Sequence, residues 1–138
     1  MNLSNDGFVK LKNREGVRKY AYQDTKGIWT IGVGHTGPEV CRGLVWNDAK
    51  IEAAFKDDVQ WAVDAVNTVT QPLNQNMFDA LVSFTFNVGK YAFTQSTMKK
   101  LLDKGLYADA AKEFDKWNKP PEIISRRQGE KAQFLTPV

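Results

Sequence analysis

A mainly helical α+β fold, with a small β-containing lobe ahead of a larger helical one, is what this sequence predicts. Three observations predict it. β-forming residues concentrate between Tyr20 and Val33 around a turn, apolar residues recur at helical spacing from Asn47 onward, and no repeat or low-complexity stretch interrupts the 138 residues. With 42% hydrophobic and 25% charged residues, the composition is that of an ordinary globular protein, and the length suits a single domain with one cooperative core. Within it a β-containing lobe at approximately 1–46 and a helical lobe at 47–138 are expected, with a cleft between them as the ligand site.

Taken in order, Ser4 or Asn5 can cap a short helix whose apolar positions include Phe8 and Leu11; it ends at Glu15, with Gly16 at the C′ position. Tyr22, Ile28, Trp29, Thr30, Ile31 and Val33 then surround Asp24-Thr25-Lys26-Gly27, a turn composition, which predicts a β-hairpin. Asn47 opens a long helix with an apolar stripe of Ile51, Phe55, Val59, Ala62, Val63 and Val66, running to near Gln71-Pro72. Four further helical patterns follow at about 74–88, 94–104, 106–118 and 123–134, each stopped by glycine or proline or by the end of the pattern.

Composition excludes several functions. The opening residues Met1 to Gly7 lack the apolar stretch of a signal peptide, and no apolar run approaches eighteen residues, so neither export nor a membrane span is expected. One cysteine, Cys41, rules out an internal disulfide, and with His35 as the one histidine a metal site is not expected. Nineteen basic against sixteen acidic residues give +3, too small and too interspersed an excess for a nucleic-acid-binding domain, though it favours approach to an anionic polymer such as a bacterial wall. Sixteen aromatic residues are more than a core of this size needs, which leaves some for a groove.

Polar residues in special positions are densest between Glu15 and His35. The carbonyl end of a helix disfavours negative charge, so Glu15 suits a general acid, whereas a turn rich in N–H donors suits Asp24 to a carboxylate role as base or cation stabiliser. Two carboxyls in unlike environments are the pattern of glycosidic bond cleavage. An acid closing a helix and an Asp opening a turn are also common structural features, and composition leaves both readings open.

The spacing of Glu15, Asp24, Thr30 and Gly32-Val33-Gly34-His35 resembles the catalytic signature of the phage-type lysozymes, glycoside hydrolase family 24. The resemblance extends over nearly the whole chain and is strongest to the endolysins of lambdoid phages. Its further blocks are Pro72-Leu73-Asn74-Gln75-Asn76, Phe86-Asn87-Val88-Gly89, Ala92-Phe93-Thr94-Gln95-Ser96-Thr97, Ala110-Ala111-Lys112-Glu113-Phe114, Trp117, and Arg126-Arg127 followed by Glu130. It implies hydrolysis of the β-1,4 bond between N-acetylmuramic acid and N-acetylglucosamine in peptidoglycan, serving host lysis, with no cofactor. By position, Glu15 protonates the glycosidic oxygen, Asp24 assists from the opposite face of the sugar, and Thr30 holds the attacking water. Inversion and retention both stay open, though a water-holding threonine is what inversion needs.

The same resemblance places Thr36, Phe86, Ser96 and Glu113 along the substrate groove, and pairs His35 with Asp58 as a structural ion pair. Gly32 and Gly34 read as backbone devices, since Gly-x-Gly without a third glycine and a following helix is not a phosphate cradle. Arg126 and Arg127 are expected to divide between a solvated face and the cleft, one of them pairing with Glu15 or with an anionic substrate group. The chain departs from the family around Lys119-Pro120-Pro121-Glu122-Ile123, where a glycine-containing loop is common. Overall the resemblance implies a monomeric endolysin, of a phage of Gram-negative hosts, that stays in the host cytoplasm until a holin releases it to the periplasm and wall. The alternatives are a lytic transglycosylase, which needs the acid but no water-directing Asp, and a non-catalytic wall-binding or interaction module that keeps the fold only, whose usual sign, a lost Glu or Asp, is absent here.

Overall fold

The computed structural model describes residues 1–138. They form two compact units, one of Val9–Gln60 and the other of Met1–Phe8 with Trp61–Val138. The sequence placed its division at 46/47, whereas the units divide inside the long helix.

The first helix, α1 (Asn5–Glu15), opens where the Ser4 hydroxyl accepts the Gly7 N–H at 3.0 Å, the capping that the sequence allowed. It closes at Glu15, with the Gly16 N–H on the Lys12 carbonyl at 2.8 Å. In the Val9–Gln60 unit, β1 (Arg18–Gln23) runs antiparallel to β2 (Trp29–Gly32), which in turn pairs with β3 (His35–Thr36). The expected hairpin is therefore a three-stranded sheet. The extra strand depends on the return after β2: Gly32 and Gly34 hold φ of 67° and 69°, and a Cβ at Gly32 would stand 3.4 Å from the Trp46 ring. Asn47 caps α2 (Asp48–Val66) by accepting the Lys50 N–H at 2.8 Å. Ile31, Val33, Val40 and Trp46 are buried, as are Ile51, Phe55 and Val59 from the stripe of α2.

α2 stops at Val66 rather than near Gln71-Pro72. The Thr68 hydroxyl donates back to the Ala65 carbonyl, and the Thr68 and Val69 N–H groups reach only three residues back, so the last turn tightens and ends. In the other unit α3 (Gln75–Val88) begins at Asn74, whose side chain accepts the Met77 N–H, and packs against α7 (Ile124–Leu135). The helix expected over 94–104 begins only at Thr97, as α5 (Thr97–Asp103), and a short helix that the sequence reading did not predict, α4 (Lys90–Thr94), precedes it. Ser96 causes the break, since its hydroxyl donates to the Phe93 carbonyl at 2.7 Å and accepts the Lys99 N–H at 3.0 Å. α6 (Tyr107–Glu113) gives way to a 3-10 turn at Phe114–Lys116 instead of continuing to Asn118. The N-terminal residues join this unit through buried Asp79, which accepts the Ser4 backbone N–H at 3.1 Å, the Ser4 hydroxyl, and the Gln75 side-chain amide at 2.9 Å.

The centre of the unit is polar as well as aromatic. Phe84 stands edge-on to Phe114 and Trp117, with centroids 5.4 and 5.3 Å away, and Phe114 meets Phe134 at 5.7 Å. Against this cluster lies Glu130, 0% exposed, bonded by Arg127 Nη1 at 2.5 Å, Arg126 Nε at 3.1 Å and the Ser83 hydroxyl at 2.6 Å. Arg127 stacks over Phe84 at 5.0 Å and bonds Asn87, while Arg126 also donates to the Ser83 carbonyl at 2.9 Å. Neither arginine lies on the solvated face expected for one of them, because their i+4 and i+3 spacing to Glu130 turns both inward.

Removing the charge from this buried group strands two guanidiniums in a low-dielectric site. Glu130→Gln is expected to destabilise the protein by about 3 kcal/mol or more, read as a shift in the chemical-denaturation midpoint.

Candidate active site

Glu15, Asp24, Thr30 and Thr36 all lie in the Val9–Gln60 unit. Glu15 is the half-buried last residue of α1, and Asp24 follows directly after β1. The turn of Asp24-Thr25-Lys26-Gly27 is tied to its own first side chain. Asp24 Oδ1 accepts the N–H of Lys26 at 2.8 Å and of Ile28 at 2.9 Å, while its backbone N–H donates to the Ile28 carbonyl at 2.9 Å. An aspartate opening a turn folds in this way because its short side chain reaches the backbone two and four residues on. The result fixes the orientation of the carboxylate.

Thr30 lies in β2 opposite Tyr22 of β1 and opposite Thr36 of β3. It is 4% exposed, and its hydroxyl donates to the Ile28 carbonyl at 3.0 Å. The donor is thus spent locally, and the oxygen keeps its acceptor capacity. Thr36 is exposed.

The remaining predicted groove residues belong to the other unit. Phe86 is half-buried on α3 and stacks on Trp61 with ring centroids 5.9 Å apart and 23° between planes. Ser96 is the buried cap between α4 and α5, its hydroxyl engaged twice as described above. Glu113 ends α6, 7% exposed, with Lys116 Nζ at 2.7 Å.

His35 takes the partner expected from the sequence and a second one besides. Its Nδ1 lies 2.6 Å from Asp58 Oδ2 and its Nε2 2.6 Å from Glu39 Oε1, while the ring rests 5.1 Å from Trp46. Burial is the largest influence on its pKa and acts downward, but hydrogen bonds and charge from Glu39 and Asp58 together outweigh it and raise the value above the ordinary 6.5. Glu39 is correspondingly held below the ordinary carboxylate range, by the hydrogen bond from His35 first. Glu39 lies in the turn after β3, where no periodicity marks it as a partner of His35; Trp61 stands outside the apolar stripe of α2, which marks it as an aromatic not required by the core. Neither was among the sequence candidates. No group of three or more His, Cys, Asp and Glu side chains is placed to hold a metal ion, and no helix is long and apolar enough to cross a membrane.

Residues 12–132 match the family model described as phage lysozyme. The endolysin of Salmonella phage P22 is 42% identical over 145 aligned residues, covering 99% of each chain. Among solved structures, a P22 lysozyme variant superposes with a TM-score of 0.91 at 41% identity over 99% of both chains. The muramidase domain of SpmX from Asticaccaulis excentricus does so with a TM-score of 0.88 at 37% identity, again over 99% of both.

The pH dependence of the His35 cluster has a definite sign. A folded pKa above the unfolded one stabilises the protein fully below 6.5, and the contribution is lost as pH rises through the folded value. The thermal midpoint of wild type should exceed that of His35→Asn by more at about pH 5.5 than at about pH 9, and an NMR titration should place His35 above 6.5.

Proposed function

The chain belongs to the phage lysozyme family, and from that premise we propose that Glu15, Asp24 and Thr30 are the residues with which it cleaves peptidoglycan. It is a glycoside hydrolase of the endolysin type, a muramidase acting in host lysis. Glu15 serves as the general acid that protonates the glycosidic oxygen, so that the leaving sugar departs as an alcohol. Asp24 acts from the other side of the sugar ring as a carboxylate whose Oδ1 is occupied by two backbone N–H groups, leaving Oδ2 for the reaction.

The observation that carries this reading is the division of labour between Asp24 and Thr30. Because the Thr30 hydroxyl gives its proton to the Ile28 carbonyl, it meets a water molecule as an acceptor. A water that donates one O–H to Thr30 and the other to Asp24 Oδ2 presents its oxygen lone pair to the anomeric carbon. Asp24 then takes the proton as the C–O bond forms, which is the inverting course. A transglycosylase has no use for this pair.

Thr36, beside Thr30 in the sheet, and Phe86 bind the glycan, the first through its hydroxyl and the second through its ring. Ser96 acts on the substrate through the loop that its cap fixes, and Glu113 through its carboxylate beside Lys116. Access to the wall depends on a holin, and the enzyme acts as a monomer.

Asp24→Asn should reduce lysis of outer-membrane-permeabilised cells by about a hundredfold to ten-thousandfold with the thermal midpoint retained, the range for loss of one general catalyst. Glu15→Gln should abolish it. Product analysis should show reducing ends in place of anhydro-muramic ends. Activity of Asp24→Asn within tenfold of wild type would refute the assignment.

A further inference from the structure

Trp61 is the most exposed of the four tryptophans, at 39%, whereas Trp46 is buried and Trp29 and Trp117 are half-buried. It does not belong to the core stripe of α2. Val59, Ala62, Val63 and Val66 are at most 3% exposed, and Trp61 lies two residues from Val59, hence about 200° round the helix from it. Its ring is nonetheless held in place. The 23° stack lays the two rings over each other, so that half-buried Phe86 backs part of the Trp61 ring while the rest of that ring is open to water.

We infer that the Trp61–Phe86 stack is a platform for an N-acetylglucosamine ring of the glycan strand, an inference that rests on the muramidase reading above. A pyranose presents a flat face of C–H groups edged by hydroxyls, and it needs a flat apolar surface with hydrogen-bond acceptors at its border. Asp57 and Asp64, four residues before Trp61 and three after it, put exposed carboxylates on the same side of α2. Their acceptor oxygens suit sugar hydroxyls. Their charge also selects between the two sugars of the strand. N-acetylmuramic acid bears a stem peptide rich in carboxylates, which two aspartates repel, whereas N-acetylglucosamine bears none. Trp61 is therefore a binding residue, not a catalytic one.

The test compares wild type with Trp61→Ala and Trp61→Phe. Chitohexaose, a probe made of N-acetylglucosamine alone, should change the tryptophan emission of wild type saturably and leave that of Trp61→Phe unchanged. With solubilised glycan strands, Trp61→Ala should raise KM about tenfold, the scale of one lost aromatic stack, while kcat stays within about twofold. A thermal midpoint that falls while KM stays the same marks Trp61 as a cover for Phe86 and overturns the platform. So does an identical emission response, or none, in wild type and Trp61→Phe, a comparison that holds even if the alanine variant does not fold. Absence of reducing-end release by wild type overturns the muramidase reading instead, and so is distinguishable from failure of the platform.

Discussion

A carboxylate with no access to water holds the larger unit together. Glu130 accepts from Arg126 and Arg127 of its own helix and from Ser83 of α3, and the Ser83 bond, with those of Arg126 to the Ser83 carbonyl and of Arg127 to Asn87, joins α7 to α3. A buried charge is tolerated only where its lone pairs are filled and opposite charge lies in contact, and both conditions are met here. The aromatic cluster depends on the same group, because Arg127 can lie over Phe84 only while its guanidinium is neutralised beside it. Such a network fixes α7 in register and along its axis, a specificity that apolar packing alone supplies less sharply.

Small polar side chains do comparable work elsewhere by closing backbone turns. Ser4, Asn47, Asn74 and Ser96 each accept the N–H three residues on and so set where a helix begins. Asp24 uses the same chemistry for a turn between strands. There the capping atom and the candidate catalytic atom sit on one carboxylate, one oxygen bound to the backbone and the other left over. Precise placement of a reactive group and local folding are thus the same event, which is how a loop residue reaches the positional accuracy that catalysis demands.

His35 shows how tertiary structure adds to a pairing that was legible beforehand. A single imidazole lies between Asp58 on α2 and Glu39 in the loop after β3, with Trp46 against its face. The loop between β3 and α2 is thereby tied down at a charged point and an aromatic one. Both ring nitrogens are engaged by carboxylates, and the cluster fastens that loop to the sheet that carries Thr30 and Thr36.

The local order of residues determined much of this protein by itself. The end of α1 at Glu15, the turn at Asp24, the caps at Asn47 and Asn74 and the paired glycines after β2 follow from backbone preferences and hydrogen bonds spanning a few residues, and those interactions can be read along a chain. The spacing of Glu15, Asp24 and Thr30 was legible in another way, through its resemblance to the signature of the phage-type lysozymes. What only the tertiary structure decided are the matters in which a residue chooses among distant partners. Ser83 of α3 met Glu130 of α7, and Arg127 came to lie over Phe84 and to bond Asn87. Trp61 came to rest on Phe86, twenty-five positions away in the chain. Periodicity records which face of a helix is apolar, but not which side chain lies across from it, and the energy of a buried ion or a stacked ring depends on that neighbour.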